Sequence, residues 1–109
     1  MTPTRYGIYV AALDPTVGRE IAKTRPVVVV SMDAMNRHAE TVVVCPLTTK
    51  LHATWRSRIQ VRCVGKPAEI AVDQIRTIST LRLVKKVDAL AMADAARLRE
   101  LIVEMYGLP

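Results

Sequence analysis

Arg25 stands directly before Pro26 and the run Val27-Val28-Val29-Val30, so a permanently charged guanidinium is set at the mouth of an apolar segment. Its planar fork of donors matches a carboxylate or a phosphate. The same position also allows plain snorkelling from the end of a core strand into water, and both readings stay open on these residues alone. A second concentration of charge lies further on. No Asp or Glu occurs from Thr41 to Ala68, while Lys50, Arg56, Arg58, Arg62 and Lys66 all fall there, with His52 among them. Such a stretch carries positive potential and suits a polyanion; its plainer reading is a solvated strand face. Histidine is the side chain that trades a proton most readily in the physiological range, and His52 is the one placed beside the basic stretch. It reads as an accessory acid or as a surface loop residue, and His38 reads as surface.

Elements must position these groups. Tyr6 to Leu13 is rich in β-formers and ends at the turn signal Asp14-Pro15-Thr16-Val17-Gly18, followed by a polar loop from Arg19 to Lys23. Pro26 to Met32 and Thr41 to Leu47 read as strands buried on both faces, because their apolar runs are continuous. Pro is tolerated at a strand's start, where its missing N–H breaks no ladder bond. Asp33 to Glu40 reads as a polar loop between them. Arg56 to Cys63 alternates, with Ile59, Val61 and Cys63 on one face and Arg58, Gln60 and Arg62 on a basic outer face.

After a turn at Gly65-Lys66-Pro67, Glu69 to Ser79 reads as a strand or a bent pair, with Ile70, Val72 and Ile75 inward and Asp73 outward. Leu81 to Leu90 reads as a last strand. From Met92 to Tyr106 the period turns helical, and Ala95, Leu98, Leu101, Ile102 and Met105 form one apolar stripe. Gly107 is placed to end that helix. Ala91 stands where Ser or Thr would cap its start better. Five to seven short strands and one terminal helix predict a mainly β fold, a small, strongly bent barrel with the helix packed on it.

Composition narrows the function classes. With 109 residues the chain is expected to form one domain, residues 1–109, with one core. One Trp, three Tyr and no Phe leave that core to aliphatic packing and make aromatic stacking scarce. Cys45 and Cys63 lack the spacing and His companions of a zinc site, and each sits in an apolar run, so both read as core thiols and no metal or other cofactor is expected. No segment resembles a signal peptide or approaches the length that spans a bilayer, which predicts no membrane partner and a cytoplasmic location. Sixteen Lys and Arg against ten Asp and Glu give a net charge of +6.

Several stretches then carry a likeness in order: LDPTVGREI (Leu13 to Ile21), KTRPVVVVS (Lys23 to Ser31), the Asn36-Arg37 pair, VVVCPLTT (Val42 to Thr49), VDQIRTI (Val72 to Ile78), the Arg82-Leu83 pair and the amphipathic terminal helix. Together they resemble the MazF/PemK-type toxins, the endoribonuclease halves of bacterial type II toxin–antitoxin pairs. The resemblance runs nearly end to end. It implies an SH3-like (CcdB/PemK-type) barrel that dimerises and cleaves single-stranded RNA, messenger RNA above all, at a specific sequence and without a metal. In such a cleavage the ribose 2′-OH attacks the neighbouring phosphate, giving a 2′,3′-cyclic phosphate and a free 5′-OH; DNA lacks that hydroxyl.

The resemblance also implies roles. Arg25 matches the family's catalytic arginine, Thr48 a threonine that holds a phosphate oxygen, and Glu20 and Asp73 two alternative general bases. RNA recognition is expected from Arg19, Lys23, Thr49, Lys50, His52, Trp55, Arg56 and Arg76, with Trp55 a stacking platform for an unpaired base or else a cap or dimer contact. A cognate antitoxin with an acidic, disordered tail is the implied protein partner, suited to the basic charge. Three departures bear on this: Tyr6-Gly7 replaces the usual opening Gly-Asp, Arg19 stands where some members have His, and Ala71 where those members have Arg. They leave two rival expectations standing. One is a CcdB-like toxin that binds DNA gyrase without catalysis, and the other a degenerate member that binds RNA or antitoxin without cutting.

Overall fold

The computed structural model describes residues 2–107. Along them run β1 (Gly7–Ala12), β2 (Thr24–Val29), a short helix α1 (Asp33–His38), β3 (Thr41–Thr48), β4 (Arg58–Cys63), β5 (Lys66–Ala71), β6 (Arg76–Ser79), β7 (Leu83–Ala89) and α2 (Met92–Ile102). Tight helical turns at Val72–Gln74 and Thr80–Arg82 join the later strands, and a wider helical turn, Val103–Gly107, extends α2. All pairings are antiparallel, in the order β4-β5-β3-β2-β1-β7.

β3 is the branch point. Thr41 to Val44 pair with β6, Leu47 and Thr48 pair with β5, and Val44 to Pro46 pair with β2 on the opposite edge. The segment expected as one strand or a bent pair is therefore bent, at Val72–Gln74. That bend folds the sheet into a half-barrel.

The continuous valines of β2 divide between two cores, as both-face burial requires. Val28 and Val30 join Ile8, Cys45, Leu47, Ile70 and Leu98 on one side of the sheet. Val27 and Val29 join Tyr9, Leu13, Val42, Val44 and Ile78 on the other. α2 covers the first core with Ala95 and Leu98, and Leu101, Ile102 and Met105 pack against it from the half-buried edge of the same stripe. No side chain caps its start at Ala91. Tyr106 Oη donates to the Val72 carbonyl at 2.8 Å, which fastens the end of the helix to the bend.

Four expectations need correction. Asp33 to His38 is a helix rather than a loop, because Asn36 is buried, accepting from Ser31 Oγ at 2.6 Å and donating to the Ser31 carbonyl at 2.9 Å. The turn expected at Gly65-Lys66-Pro67 is shorter: Cys63 pairs with Lys66, and Val64 and Gly65 at φ of 50° and 74° make the two-residue connection. Cys45 is a core thiol, pushed up to about 12 first by burial and then by the charge of Asp73, but Cys63 is only half-buried at its strand end. The outer face of β4 departs furthest from expectation, because Arg58 on it is buried at the candidate site rather than solvated. Gly107 is the last described residue, and the helical turn that extends α2 runs up to it.

Candidate active site

A groove of about 850 Å³ opens where the Arg19–Ala22 loop, the ends of β2 and β3, the loop from Thr49 to Trp55 and the bend at Asp73 and Gln74 meet. The ladder explains the convergence. Val27 lies across from Pro46, so two residues on in the same antiparallel register Arg25 comes opposite Thr48. Thr48 lies across from Glu69, and Glu69 across from Gln60. Cross-strand partners share a face, so Thr48, Glu69 and Gln60 form one row over three strands, and Arg25, just beyond the last paired residues of β2 and β3, lines the same groove as Thr48.

Arg25 is half-buried, and its Nε donates to the Ala22 carbonyl at 3.0 Å. Among the described residues no carboxylate pairs with it. The remaining guanidinium nitrogens are thus available to an anion in the groove. Thr48 Oγ1 accepts from the Lys50 main-chain N–H at 3.1 Å, which caps the turn and leaves the hydroxyl hydrogen to donate. Glu20 Oε1 accepts from the Val17 N–H at 2.9 Å at the groove's rim. Arg19, Thr49, Lys50, His52 and Trp55 line the same space. Arg76 lines an adjoining cavity of about 460 Å³ and donates to the Leu13 carbonyl. Lys23 and Arg56 lie outside both; Arg56 pairs with Glu104 on the turn that extends α2.

The face of β4 expected to be basic and solvated is instead the floor of a buried ion cluster. The Arg58 side chain is 5% exposed and donates from Nη1 to Glu69 Oε2 at 2.7 Å and from Nε to Asp73 Oδ1 at 2.8 Å. Gln60 Nε2 donates to Glu69 Oε1 at 2.7 Å, Gln60 is half-buried, and Arg62 is the fully exposed residue of this face, donating to the Gly65 carbonyl. The His52–Trp55 loop roofs the cluster: the two rings stack at 3.9 Å, and the Arg58 guanidinium lies 4.7 Å from the Trp55 ring centre. Alternation reveals which way a residue faces but not what covers that side.

Glu69 is wholly buried. Burial alone would push its carboxyl up. The Gln60 amide, the His52 main-chain N–H, the Arg58 guanidinium and the His52 ring outweigh burial and bring it down to about 2. His52 Nδ1 lies 3.2 Å from Glu69 Oε2 and 3.3 Å from Arg58 Nη1, so it donates to the carboxylate in the tautomer that carries its proton there and accepts from the guanidinium in the other. Burial also opposes charge on Arg58, but Asp73 and then Glu69 raise its pKa. Asp73, expected as a base, is here occupied by Arg58 on both carboxylate oxygens.

Sequence reasoning missed Glu69, Arg58, Gln60 and Gln74. Gln74 Oε1 accepts from the Ile21 N–H at 2.6 Å and Nε2 donates to the Arg19 carbonyl at 3.3 Å, tying the Arg19–Ala22 loop to the bend. The available signal was the Asp73-Gln74 pair in a stretch already singled out. For Glu69 the signal was a lone acid inside a strand of apolar neighbours, Ala68 to Val72.

Family comparison agrees with this architecture. The family model of PemK-like, MazF-like toxins of type II toxin–antitoxin systems matches residues 4–106. The chain belongs to this family. Its fold is similar to the crystal structure of MazF from Deinococcus radiodurans, with a TM-score of 0.87 at 18% identity over 99% of each chain. It is also similar to the Mycobacterium tuberculosis toxin MazF-mt6, with a TM-score of 0.78 at 24% identity over 94% of this chain and 98% of that one. An endoribonuclease in complex with its cognate antitoxin from a Mycobacterial species superposes with a TM-score of 0.79 at 22% identity, covering 99% and 96%. This PemK/MazF-type toxin carries Arg25 near the start of β2 and Thr48 at the end of β3. Among its described residues no helix is long and apolar enough to cross a membrane.

Proposed function

We propose that this toxin is a sequence-specific endoribonuclease that cleaves single-stranded RNA, messenger RNA in the cell, without a metal, to 2′,3′-cyclic phosphate and 5′-OH ends. The observation that carries the reading is Arg25: a guanidinium held by one main-chain carbonyl, without a carboxylate partner among the described residues, in a groove shared with Thr48 and Glu20. A phosphate undergoing attack gains negative charge on its free oxygens, and a preorganised cation there lowers the barrier. Thr48 donates its hydroxyl to the same phosphate. Glu20 takes the 2′-OH proton in preference to Asp73, whose carboxylate is engaged by Arg58.

Arg19, Thr49, Lys50, His52 and the half-exposed Trp55 bind the strand along the groove, Arg76 binds in the adjoining cavity, and Lys23 and Arg56 extend the basic rim. Structural relatives in complex with a cognate antitoxin support an antitoxin as partner, and the net charge of +6 suits an acidic, disordered segment of it. The active species is a cytoplasmic homodimer of a single-domain chain, residues 1–109.

Incubation of the protein and Arg25→Ala with a long unstructured RNA in EDTA tests the reading. The wild type yields 5′-OH fragments cut at a recurring short sequence, and Arg25→Ala loses about 100-fold or more in kcat, the usual cost of removing a transition-state donor. Arg25→Lys is also impaired, because a point charge replaces a fork. RNA left intact by the wild type at enzyme concentrations above substrate overturns the reading.

A further inference from the structure

Two groups at the groove have no part in those steps, Glu69 and the ring it holds. The leaving 5′-oxygen needs a proton. Arg25 cannot release one, and Glu20 is occupied in taking one. We propose that His52 is the general acid that supplies it and that Glu69 is the positioning residue of His52, an inference that rests on the ribonuclease reading above.

A fully buried acid is a costly way to complete a sheet. Arg58 already has Asp73 for a partner. What Glu69 adds is a double hold on one residue: Oε1 accepts the His52 main-chain N–H, and Oε2 lies 3.2 Å from the ring Nδ1, which donates to it when that nitrogen is protonated. The ring is further fixed by stacking on Trp55. Glu69 lies across the ladder from Thr48, so the anchor of the ring and the phosphate-holding threonine are neighbours on adjacent strands. With Nδ1 turned to Glu69, Nε2 is the nitrogen left to serve the groove that His52 lines. Lys50 is the lysine of the groove, and it is exposed, with no partner among the described residues to orient its ammonium group.

The step balances. As the 2′-oxygen bonds to phosphorus, its proton passes to Glu20. The P–O5′ bond breaks with its electron pair on the 5′-oxygen, which takes the Nε2 proton. His52, protonated on both ring nitrogens before the step, is left neutral with Nδ1–H still on Glu69; Glu20 then gives its proton to water, and water returns one to Nε2. The arrangement has the logic of an acid–base histidine oriented by a buried carboxylate.

The decisive experiment compares His52→Gln and Glu69→Gln on the mapped RNA and on the same RNA with a bridging 5′-sulfur at the scissile phosphate, a leaving group that departs without protonation. Both variants lower kcat on ordinary RNA about 100-fold, and their effects do not add in the double variant. Both return to the wild-type rate on the sulfur substrate, while Arg25→Ala stays slow. Equal slowing on both substrates, or wild-type cleavage of ordinary RNA by either variant, overturns the inference. If Glu69→Gln fails to fold, His52→Gln with the sulfur substrate decides the acid, and ¹⁵N spectra of the wild-type ring decide the anchor: a protonated, hydrogen-bonded Nδ1 supports it and an Nε2–H neutral form overturns it. If the wild type cuts no RNA, the ribonuclease reading falls and the acid role with it, and the ring spectra still judge the hold of Glu69.

Discussion

At the scale of single residues, the most consequential side chain is one that the charge pattern conceals. Glu69 is the lone acid on β5, and four donor contacts keep it ionised in a site with no exposure to water. Its pKa of about 2 lies below the ordinary 4.5, so the stability it contributes is fully present above about pH 4.5 and is lost as the pH falls toward 2. A depression of this size corresponds to about 3 kcal/mol. Urea denaturation of the wild type between pH 2 and 5 is expected to show that rise, and Glu69→Gln to flatten it by about that amount. Equal slopes for the two proteins would mean that the carboxylate is not held as described.

At the scale of elements, the bend at Val72–Gln74 does the positioning. Its three residues each tie down something different: the Val72 carbonyl accepts from Tyr106 of the helical extension, Asp73 holds Arg58, and Gln74 holds the loop that carries Glu20. Gln74→Ala is expected to leave the sheet intact and to free the Ile21 amide, whose hydrogen exchange speeds up by about fivefold for the loss of a bond worth about 1 kcal/mol. α2 is held mainly by apolar burial, with Arg97 donating to the Gln60 carbonyl at its edge. Leu98 is completely buried beneath it, and Leu98→Ala is expected to cost about 2–5 kcal/mol, read as a lower urea midpoint at unchanged slope.

At the scale of the whole molecule, the charge is divided between internal use and external use. The acid-free stretch from Thr41 to Ala68 suggested a uniformly basic surface, yet Arg58 is spent on the buried cluster and Arg56 pairs with Glu104. Lys50 is exposed at the groove and appears in no ion pair among the described residues. A lysine that meets a phosphate releases a counterion, so Lys50→Ala is expected to weaken RNA binding alike across sequences and to reduce the slope of log K against log salt by about 0.7 for a single strand. Fluorescence anisotropy at several salt concentrations measures it; an unchanged slope would remove Lys50 from the contact.

The sequence by itself determined that short strands are followed by a terminal helix, although β2, β4, β5 and β7 begin at Thr24, Arg58, Lys66 and Leu83 rather than at Pro26, Arg56, Glu69 and Leu81. Four successive valines demand apolar cover on both faces, and the two cores supply it. The stripe from Ala95 to Met105 demands a sheet to lie on, and a charge before Pro26 can only stand at a strand's mouth. These are properties of neighbours along the chain. The helix at Asp33–His38 was not legible, since it depends on Asn36 finding Ser31 in a buried site rather than on any periodicity. Nor was the fate of Arg58 legible, because Glu69 is eleven residues away in sequence and meets it only through the β4–β5 register. Which way a side chain points is set by local pattern. The partner it meets there is set by the β4–β5 register and by the bend at Val72–Gln74, which belong to the tertiary structure.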